Sequence, residues 1–100
     1  MIDEEVATGT TLIEAVNLIK KEGARDVYLV FIHPILAGDA AMQLSKLPVK
    51  EFVTTNTIPI SSEKKAAFGG RLRIISVAEM LGEVIKRANQ GRSVGELFNE

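Results

Sequence analysis

The chain has 100 residues, of which 46% are apolar and 25% charged, and its net charge is −1. This length suits one small domain, and the composition is typical of a folded globular protein rather than a disordered segment or a membrane span. The near balance of charge argues against a general attraction to nucleic acid, and the lack of cysteine excludes disulfides, thiolate zinc sites and cysteine nucleophiles.

The first residues, Met1 to Glu5, are acidic and contain no apolar signal region, so the sequence predicts a cytoplasmic protein. The first predicted helix covers residues 11–22. Thr11 and Glu14 have the spacing of a capping box, and Gly23 is predicted to end the helix in a left-handed conformation. One face of this helix is apolar and carries Leu12, Ala15, Val16 and Ile19.

Residues 27–32 form a continuous apolar run rich in β-branched side chains, which predicts a strand covered on both faces and therefore a parallel sheet. Asp39 follows a turn and is predicted to cap a short helix over residues 40–44. Two more short strands are predicted over residues 52–55 and 71–75.

The polar stretch 61–70, between the last two predicted strands, is interpreted as a loop with some helix. A second long helix is predicted over residues 76–89, where Ser76 and Glu79 repeat the capping-box spacing and Gly91 follows the end. Its apolar stripe comprises Val77, Met80, Leu81, Val84, Ile85 and Ala88. A third capping box, Ser93 with Glu96, opens one short apolar turn.

Alternation of strands and helices predicts an α/β fold with a mostly parallel sheet and flanking helices. In such folds a tight loop that introduces a helix normally follows a buried strand. Only Met1 and Ile2 precede the acidic segment here. We therefore expect a single domain over residues 1–100 that begins inside a longer motif and is truncated at its N-terminus.

Several functional features coincide in residues 3–11, which are interpreted as a loop. Free backbone N–H groups at a helix start, a glycine for close approach and three hydroxyls form a cradle suited to a phosphate. Ionised carboxylates beside it accept hydrogen bonds from sugar hydroxyls or orient a hydrated magnesium ion. The segment thus indicates a sugar phosphate as ligand. The alternative is simple helix capping, with the acids favoured by the helix dipole and no ligand bound.

The segment Ile2 to Thr11, sequence IDEEVATGTT, resembles the phosphoribosyl-binding signature of the type I phosphoribosyltransferase fold. Four further segments, in order and spacing, are similar to the C-terminal half of the ribose-phosphate pyrophosphokinase family: residues 32–38 (IHPILAG), 53–59 (VTTNTIP), 75–81 (ISVAEML) and 91–98 (GRSVGELF). The resemblance implies a phosphoribosyltransferase-like half domain of an enzyme that converts ATP and ribose 5-phosphate to phosphoribosyl pyrophosphate and AMP.

Carried over to this sequence, the resemblance implies that Asp3 and Glu4 contact the ribose hydroxyls. It also implies that the 5-phosphate is wrapped by Ala7, Thr8, Gly9, Thr10 and Thr11. Magnesium, ATP as co-substrate and homo-oligomers are implied by the family as well. The ATP-binding half and the catalytic elements of the family lie mainly upstream, so no catalytic residue is assigned here and the isolated chain is expected to be inactive.

Two rival functions remain open. A base-accepting phosphoribosyltransferase shares the phosphate segment, and a non-catalytic regulatory or binding module would keep the fold alone. His33, the only histidine, has no second metal ligand in the sequence, so it is interpreted as structural, with ligand contact as the alternative. Residues 56–59 are interpreted as a turn, with pocket lining as the alternative.

No chemistry is assigned to the pair Lys64 and Lys65, and Arg71 and Arg73 are predicted to be solvated or interfacial. The last segment contains two positions, Ser93 and Phe98, that resemble residues near which family members bind a regulatory nucleotide. Helix capping and packing is the favoured interpretation of both.

Overall fold

A computed structural model describes residues 1–98. The strands are β1 (Ile2–Val6), β2 (Tyr28–Pro34), β3 (Glu51–Thr55) and β4 (Leu72–Ile75), and the helices are α1 (Thr10–Lys21), α2 (Ala40–Ser45), α3 (Ser62–Ala67) and α4 (Ala78–Asn89). Two short 3₁₀ turns, Gly69–Arg71 and Gly95–Phe98, complete the described part of the chain.

The four strands form one parallel sheet in the order β1-β2-β3-β4, so each strand pairs with its neighbour in sequence. The register is given by Ile2 opposite Val30, Leu29 opposite Phe52 and Phe52 opposite Leu72. A parallel pair needs a long crossover connection, and each of the three connections supplies a helix. The α/β class with a parallel sheet and flanking helices is therefore confirmed.

The core lies between one face of the sheet and the helices α1, α2 and α3. Leu29, Phe31 and Phe52 project from the central strands and are fully buried. They form one cluster with residues of α1, α2 and the segment after α3, which include Leu12, Val16, Leu44 and Phe68. The rings of Phe52 and Phe68 meet edge to face, with 4.9 Å between centroids.

The acidic segment near the N-terminus is a strand, and its interpretation as a loop was wrong. Residues 2–6 pair with β2, and the carbonyl of Met1 accepts a hydrogen bond from the amide of Val30 at 2.9 Å. Asp and Glu have low strand propensity, but an edge strand tolerates them because its side chains reach solvent. The strand expected to precede the helix is thus the acidic segment itself.

The start of α1 also differs from the prediction. The helix begins at Thr10, and Gly9 occupies the N-cap with a left-handed φ of 81° and no side-chain cap, so the capping box of Thr11 with Glu14 is absent. At the other end the prediction is confirmed. Gly23 has a φ of 98°, its amide bonds to Lys20, and the next amide bonds to Ile19. These two bonds satisfy the last carbonyls of the helix.

Helix α3 occupies most of the stretch interpreted as a loop with some helix, and Ser61 caps it by accepting a hydrogen bond from the amide of Lys64. Asp39 stands at the N-cap of α2, but its carboxylate accepts from the side chain of Gln43 rather than from a backbone amide. Helix α4 begins two residues later than predicted, and Ser76 accepts from the amide of Ala78 at 3.2 Å.

The apolar stripe predicted for α4 is present in the sequence, but no residue of that helix is buried. Met80, Leu81 and Ile85 are 44%, 48% and 69% exposed, whereas the stripe of α1 packs into the core through Leu12 and Val16. The two helices have similar patterns, and only their surroundings differ. Within residues 1–98, no helix has the length and apolar character that crossing a membrane requires.

Candidate functional site

The β1–α1 turn, residues 7–11, begins where β1 ends and runs into the first turn of α1. Gly9 lets the chain reverse direction in a left-handed conformation, and a Cβ at this position would lie 3.4 Å from the side chain of Leu44. The carbonyl of Gly9 accepts the first helical bond, from the amide of Ile13 at 2.9 Å. The amides of the first helical turn have no partner inside the helix and are free to bind a ligand.

A cavity of about 190 Å³ opens beside this turn. Its lining consists of Asp3, Glu5, Val6, Ala7, Thr8, Gly9, Thr10, Thr11 and Leu12. The carboxylates come from β1, and the hydroxyls and backbone amides come from the β1–α1 turn. The cavity therefore has one acidic side and one side rich in hydrogen-bond donors.

Six of the seven residues proposed from the sequence line this cavity, namely Asp3, Ala7, Thr8, Gly9, Thr10 and Thr11. Glu4 does not line it. Successive side chains of a strand point to opposite faces, so Glu4 lies on the face of β1 away from its two acidic neighbours. Glu5, rather than Glu4, is the second acidic residue that lines the cavity. Sequence reasoning missed this residue, and the alternation of β1 would have found it had the segment been recognised as a strand.

The helix start favours an anion at the turn, whereas the carboxylates of Asp3 and Glu5, which line the same cavity, disfavour one. Helix α1 has 12 residues and no acidic side chain in its first turn, while Lys20 and Lys21 lie in its last turn. The positive end of the helix dipole therefore faces the turn without a carboxylate in that first turn to offset it. The hydroxyls of Thr8 and Thr10 lie 3.3 Å apart and hydrogen-bond to each other. They are exposed and available to a phosphate oxygen.

The neighbouring strand ends form a separate polar group. The Nδ1 of His33 lies 2.9 Å from the hydroxyl of Thr57, and the hydroxyl of Thr55 donates to the carbonyl of Ile32 at 2.7 Å. These bonds tie the end of β2 to the end of β3. Neither His33 nor Thr57 lines the cavity, so the geometry agrees with the structural interpretation of the histidine.

Asn56 links the ends of β3 and β4. Its side-chain oxygen accepts from the amide of Val77 at 2.9 Å, and its side-chain nitrogen donates to Ser76 at 3.1 Å. The amide thus caps α4 from another element, which explains why that helix needs no capping box of its own. This bonding agrees with a turn role for residues 56–59. Asn56, Ile58 and Pro59 also line a small cavity of about 130 Å³, so the alternative of pocket lining stays open as well.

The 3₁₀ turn near the C-terminus packs against α4. Arg87 donates to the carbonyl of Ser93 and to the carboxylate of Glu96, at 3.0 and 3.1 Å. Phe98 is half exposed and lines a shallow groove with residues of α4. Glu96 bonds to Arg87 rather than closing the capping box with Ser93.

Residues 1–98 contain no group of three or more histidine or acidic side chains arranged to hold a metal. Magnesium is commonly held through one or two carboxylates together with the substrate's own phosphates, and it keeps several of its waters. Asp3 and Glu5, on the acidic side of the cavity, supply carboxylates of this kind.

Residues 1–99 match the model of the phosphoribosyl synthetase-associated domain family. The chain belongs to this family. The ribose-phosphate pyrophosphokinase of Haemophilus influenzae is 35% identical over 99 residues, which are 99% of this chain and 31% of that protein. Ribose-phosphate pyrophosphokinase A of Dictyostelium discoideum is also 35% identical, over 100 residues that cover all of this chain and 31% of that protein.

A solved structure of a related enzyme also resembles this chain. The crystal structure of phosphoribosylpyrophosphate synthetase from Mycobacterium smegmatis superposes with a TM-score of 0.84 and 31% identity, covering 90% of this chain and 29% of that one. The domain therefore spans about 30% of the length of the relatives it matches. The predicted resemblance to this enzyme family is confirmed, and the placement in a C-terminal half stays a prediction.

Proposed function

We propose that this domain is the ribose 5-phosphate-binding part of a ribose-phosphate pyrophosphokinase. The β1–α1 turn binds the 5-phosphate, and the acidic side chains of β1 bind the ribose hydroxyls. The names of the relatives support this substrate and favour it over a base-accepting phosphoribosyltransferase.

The observation that carries the proposal is the two-sided cavity. A sugar phosphate has a dianionic end and a polyol end, separated by the ring. Amides and hydroxyls of the β1–α1 turn complement the dianion because they donate hydrogen bonds at the positive end of a helix. The carboxylates of Asp3 and Glu5 complement the polyol because they only accept.

The resemblance assigns the ribose to Asp3 and Glu4, and the cavity lining adds Glu5. We propose that Asp3 and Glu5 act from within the cavity, while Glu4 contributes charge from the opposite face of the strand. Magnesium, when bound, would neutralise charge on the transferring phosphates, and Asp3 and Glu5 are the residues that would hold it here through its waters.

The parent reaction moves the pyrophosphoryl group of ATP to the anomeric hydroxyl of ribose 5-phosphate and releases AMP. Such a transfer needs donor and acceptor held in line, with cations on the developing charge. A site for ribose 5-phosphate holds the acceptor only, and it supplies neither the position of the donor nor the cations. The chain on its own therefore binds the acceptor and lacks synthase activity, for which it requires ATP-binding segments of a longer protein.

Calorimetric titration of the chain with ribose 5-phosphate tests the proposal, with ribose as the control ligand that lacks the phosphate. We expect saturable binding of ribose 5-phosphate, little binding of ribose, and an affinity at least tenfold weaker in Thr8→Ala and Thr11→Ala. Absence of saturable binding with a folded chain would contradict the proposal. Release of AMP from ATP and ribose 5-phosphate by the chain alone would contradict the proposal that it lacks synthase activity on its own.

A non-catalytic binding module is the second candidate function. The observation that favours it is that Ala7 lines the cavity with no polar side chain, so it supplies only backbone groups to a phosphate. Under this alternative the domain would associate with a complete synthase and change its activity without binding ribose 5-phosphate itself. The same titration distinguishes the two candidates.

A further inference from the structure

Leu36 lies in the turn after β2 and has a φ of 49°. A leucine in this left-handed region is uncommon and costs conformational energy, so the surrounding contacts must hold it there. Its side chain is 1% exposed and belongs to the core cluster. Among residues 1–98 it is the one residue other than glycine with a positive φ.

The backbone of this turn bonds directly to the candidate site. The amide of Leu36 donates to the carbonyl of Val6 at 2.9 Å, and the amide of Ala37 donates to the carbonyl of Ala7 at 2.8 Å. These bonds continue the pairing of β1 with β2 beyond the end of β2, and they reach the last residue of β1 and the first residue of the β1–α1 turn. The first residue of the β1–α1 turn is therefore positioned by the conformation of Leu36 and Ala37.

Lys64 holds the same turn from the other side. Its Nζ donates to the carbonyl of Leu36 at 2.7 Å in a partly buried position, and charge-assisted bonds of this kind are stronger than neutral ones. The lysine lies on α3, which Ser61 caps and which packs beside α2. Its amide and its ammonium group are both engaged, so the side chain projects from a fixed helix start.

We propose that Lys64 is a positioning residue for the phosphate site. Its ammonium group stabilises the left-handed conformation of Leu36, and the amides of Leu36 and Ala37 then fix the carbonyls of Val6 and Ala7, where the β1–α1 turn begins. The inference rests on the proposed binding of ribose 5-phosphate. Lys64 does not line the cavity, and it lies 53 positions after Thr11, the last residue of the β1–α1 turn. It would therefore act on the site through the turn at residues 36–37.

The test compares Lys64→Met, which keeps the apolar stem, with Lys64→Arg, which keeps a cationic donor. Lys65→Met is the matched control. Among the residues that the structure describes, it is Lys64 that donates to Leu36, and the ammonium group of Lys65 makes no hydrogen bond to residues 36–37. Titration with ribose 5-phosphate and with inorganic phosphate measures the site, and amide hydrogen exchange measures the turn. If Lys64→Met does not fold, Lys64→Gln replaces it and is judged by the same outcomes.

We expect Lys64→Met to bind both ligands about tenfold more weakly and to exchange the amides of Leu36 and Ala37 about tenfold faster. Exchange at the core residue Phe31 should stay unchanged, because a general loss of stability would raise all three rates together. Lys64→Arg should bind within twofold of the original chain, and Lys65→Met should match it.

The outcomes separate a failure of the positioning role from a failure of the proposed function. Lys64→Met with unchanged affinity and unchanged exchange at Leu36 and Ala37 overturns the positioning role and leaves the proposed function intact. If the original chain binds neither ligand, the proposed function fails, and the exchange rates alone then decide whether Lys64 orders the turn. An equal rise at Phe31 also overturns the proposal, since it indicates a general structural effect.

Discussion

The guanidinium of Arg71 lies over the ring of Phe52, 5.2 Å from its centroid. The same group donates to the carbonyls of Leu47 and Val49 at 3.1 and 2.8 Å, and also to the carbonyl of Ser45. Ser45 is the last residue of α2, where helices leave carbonyls unsatisfied, and Leu47 and Val49 lie in the connection between α2 and β3. The expectation that Arg71 is solvated or interfacial was therefore wrong, because the side chain joins α2 to the sheet.

Replacement of this arginine should destabilise the fold. We expect Arg71→Met to lower the free energy of unfolding by about 2–3 kcal/mol, because partly buried carbonyls lose charged donors and the ring loses its cation. Arg73→Met is the matched control. The side chain of Arg73 is 67% exposed in its ion pair with Glu51, so the change should stay below about 1 kcal/mol. Urea unfolding of both variants provides the measurement, and equal changes would refute the role given to Arg71.

Thr54 carries a buried hydroxyl with no hydrogen-bond partner among residues 1–98. The residue is 1% exposed and lies on the core face of β3. Thr54→Val keeps the shape and removes the unpaired polar atom, so we expect the free energy of unfolding to rise by about 1 kcal/mol. Thermal unfolding measures the change. Thr55→Val is the control and should not stabilise, because its hydroxyl donates to the carbonyl of Ile32.

The two glutamates that follow Asp3 should differ in their effect on ligand binding. Glu5 lines the cavity and Glu4 does not. We expect Glu5→Gln to weaken ribose 5-phosphate binding at least tenfold and Glu4→Gln to weaken it less than threefold, by titration calorimetry. The opposite order would mean that the resemblance, rather than the cavity lining, identifies the acid that holds the ribose.

Gly9 should resist substitution. Its φ of 81° is strained for any L side chain, whereas a new Cβ would meet Leu44 at 3.4 Å, an ordinary contact distance, so the cost comes from the backbone. We expect Gly9→Ala to cost about 1 kcal/mol of stability and to weaken phosphate binding. Gly70→Ala is a suitable control, because its Cβ would meet nothing within 4 Å and its φ is not positive. Denaturant unfolding together with phosphate titration checks both expectations.

Acid should loosen the C-terminal segment from α4. The hydrogen bond from Arg87 lowers the pKa of Glu83 below its ordinary value, so the charged carboxylate is favoured in the folded chain. Its stabilising effect is present above the ordinary carboxyl pKa and is lost as the pH falls through the lowered value. We expect NMR signals of Phe98 to broaden or shift over that range. Glu83→Gln should lessen this pH dependence without abolishing it, because the carboxylate of Glu96 also bonds to Arg87, whereas Glu79→Gln should leave it unchanged.

Local pattern was enough to predict much of this domain. The period of α1 and the glycine at position 23 depend on residues close in sequence, and the structure confirms both. The apolar run at residues 27–32 is a strand as predicted, but the expectation that both of its faces are covered was wrong. Leu29 and Phe31 are buried, whereas Tyr28 and Ile32 are 46% and 37% exposed, because the core lies on one face of the sheet. Alternation of strands and helices was enough for the parallel sheet, because crossover connections leave few other topologies. The residues of the β1–α1 turn were proposed as a site in the same way, since a helix start and its glycine are local features. The structure places them around one cavity, and their role in ligand binding stays a prediction.

Other features depended on partners distant in sequence. Residues 2–6 are a strand because β2 pairs with them, which their acidic side chains do not indicate. The direction in which Glu4 and Glu5 point follows from that pairing. Arg71 turns inward because carbonyls more than 20 residues away accept its hydrogen bonds. Helix α4 keeps its apolar stripe exposed because burial requires an opposing surface, and a helix pattern specifies a face without specifying what packs against it.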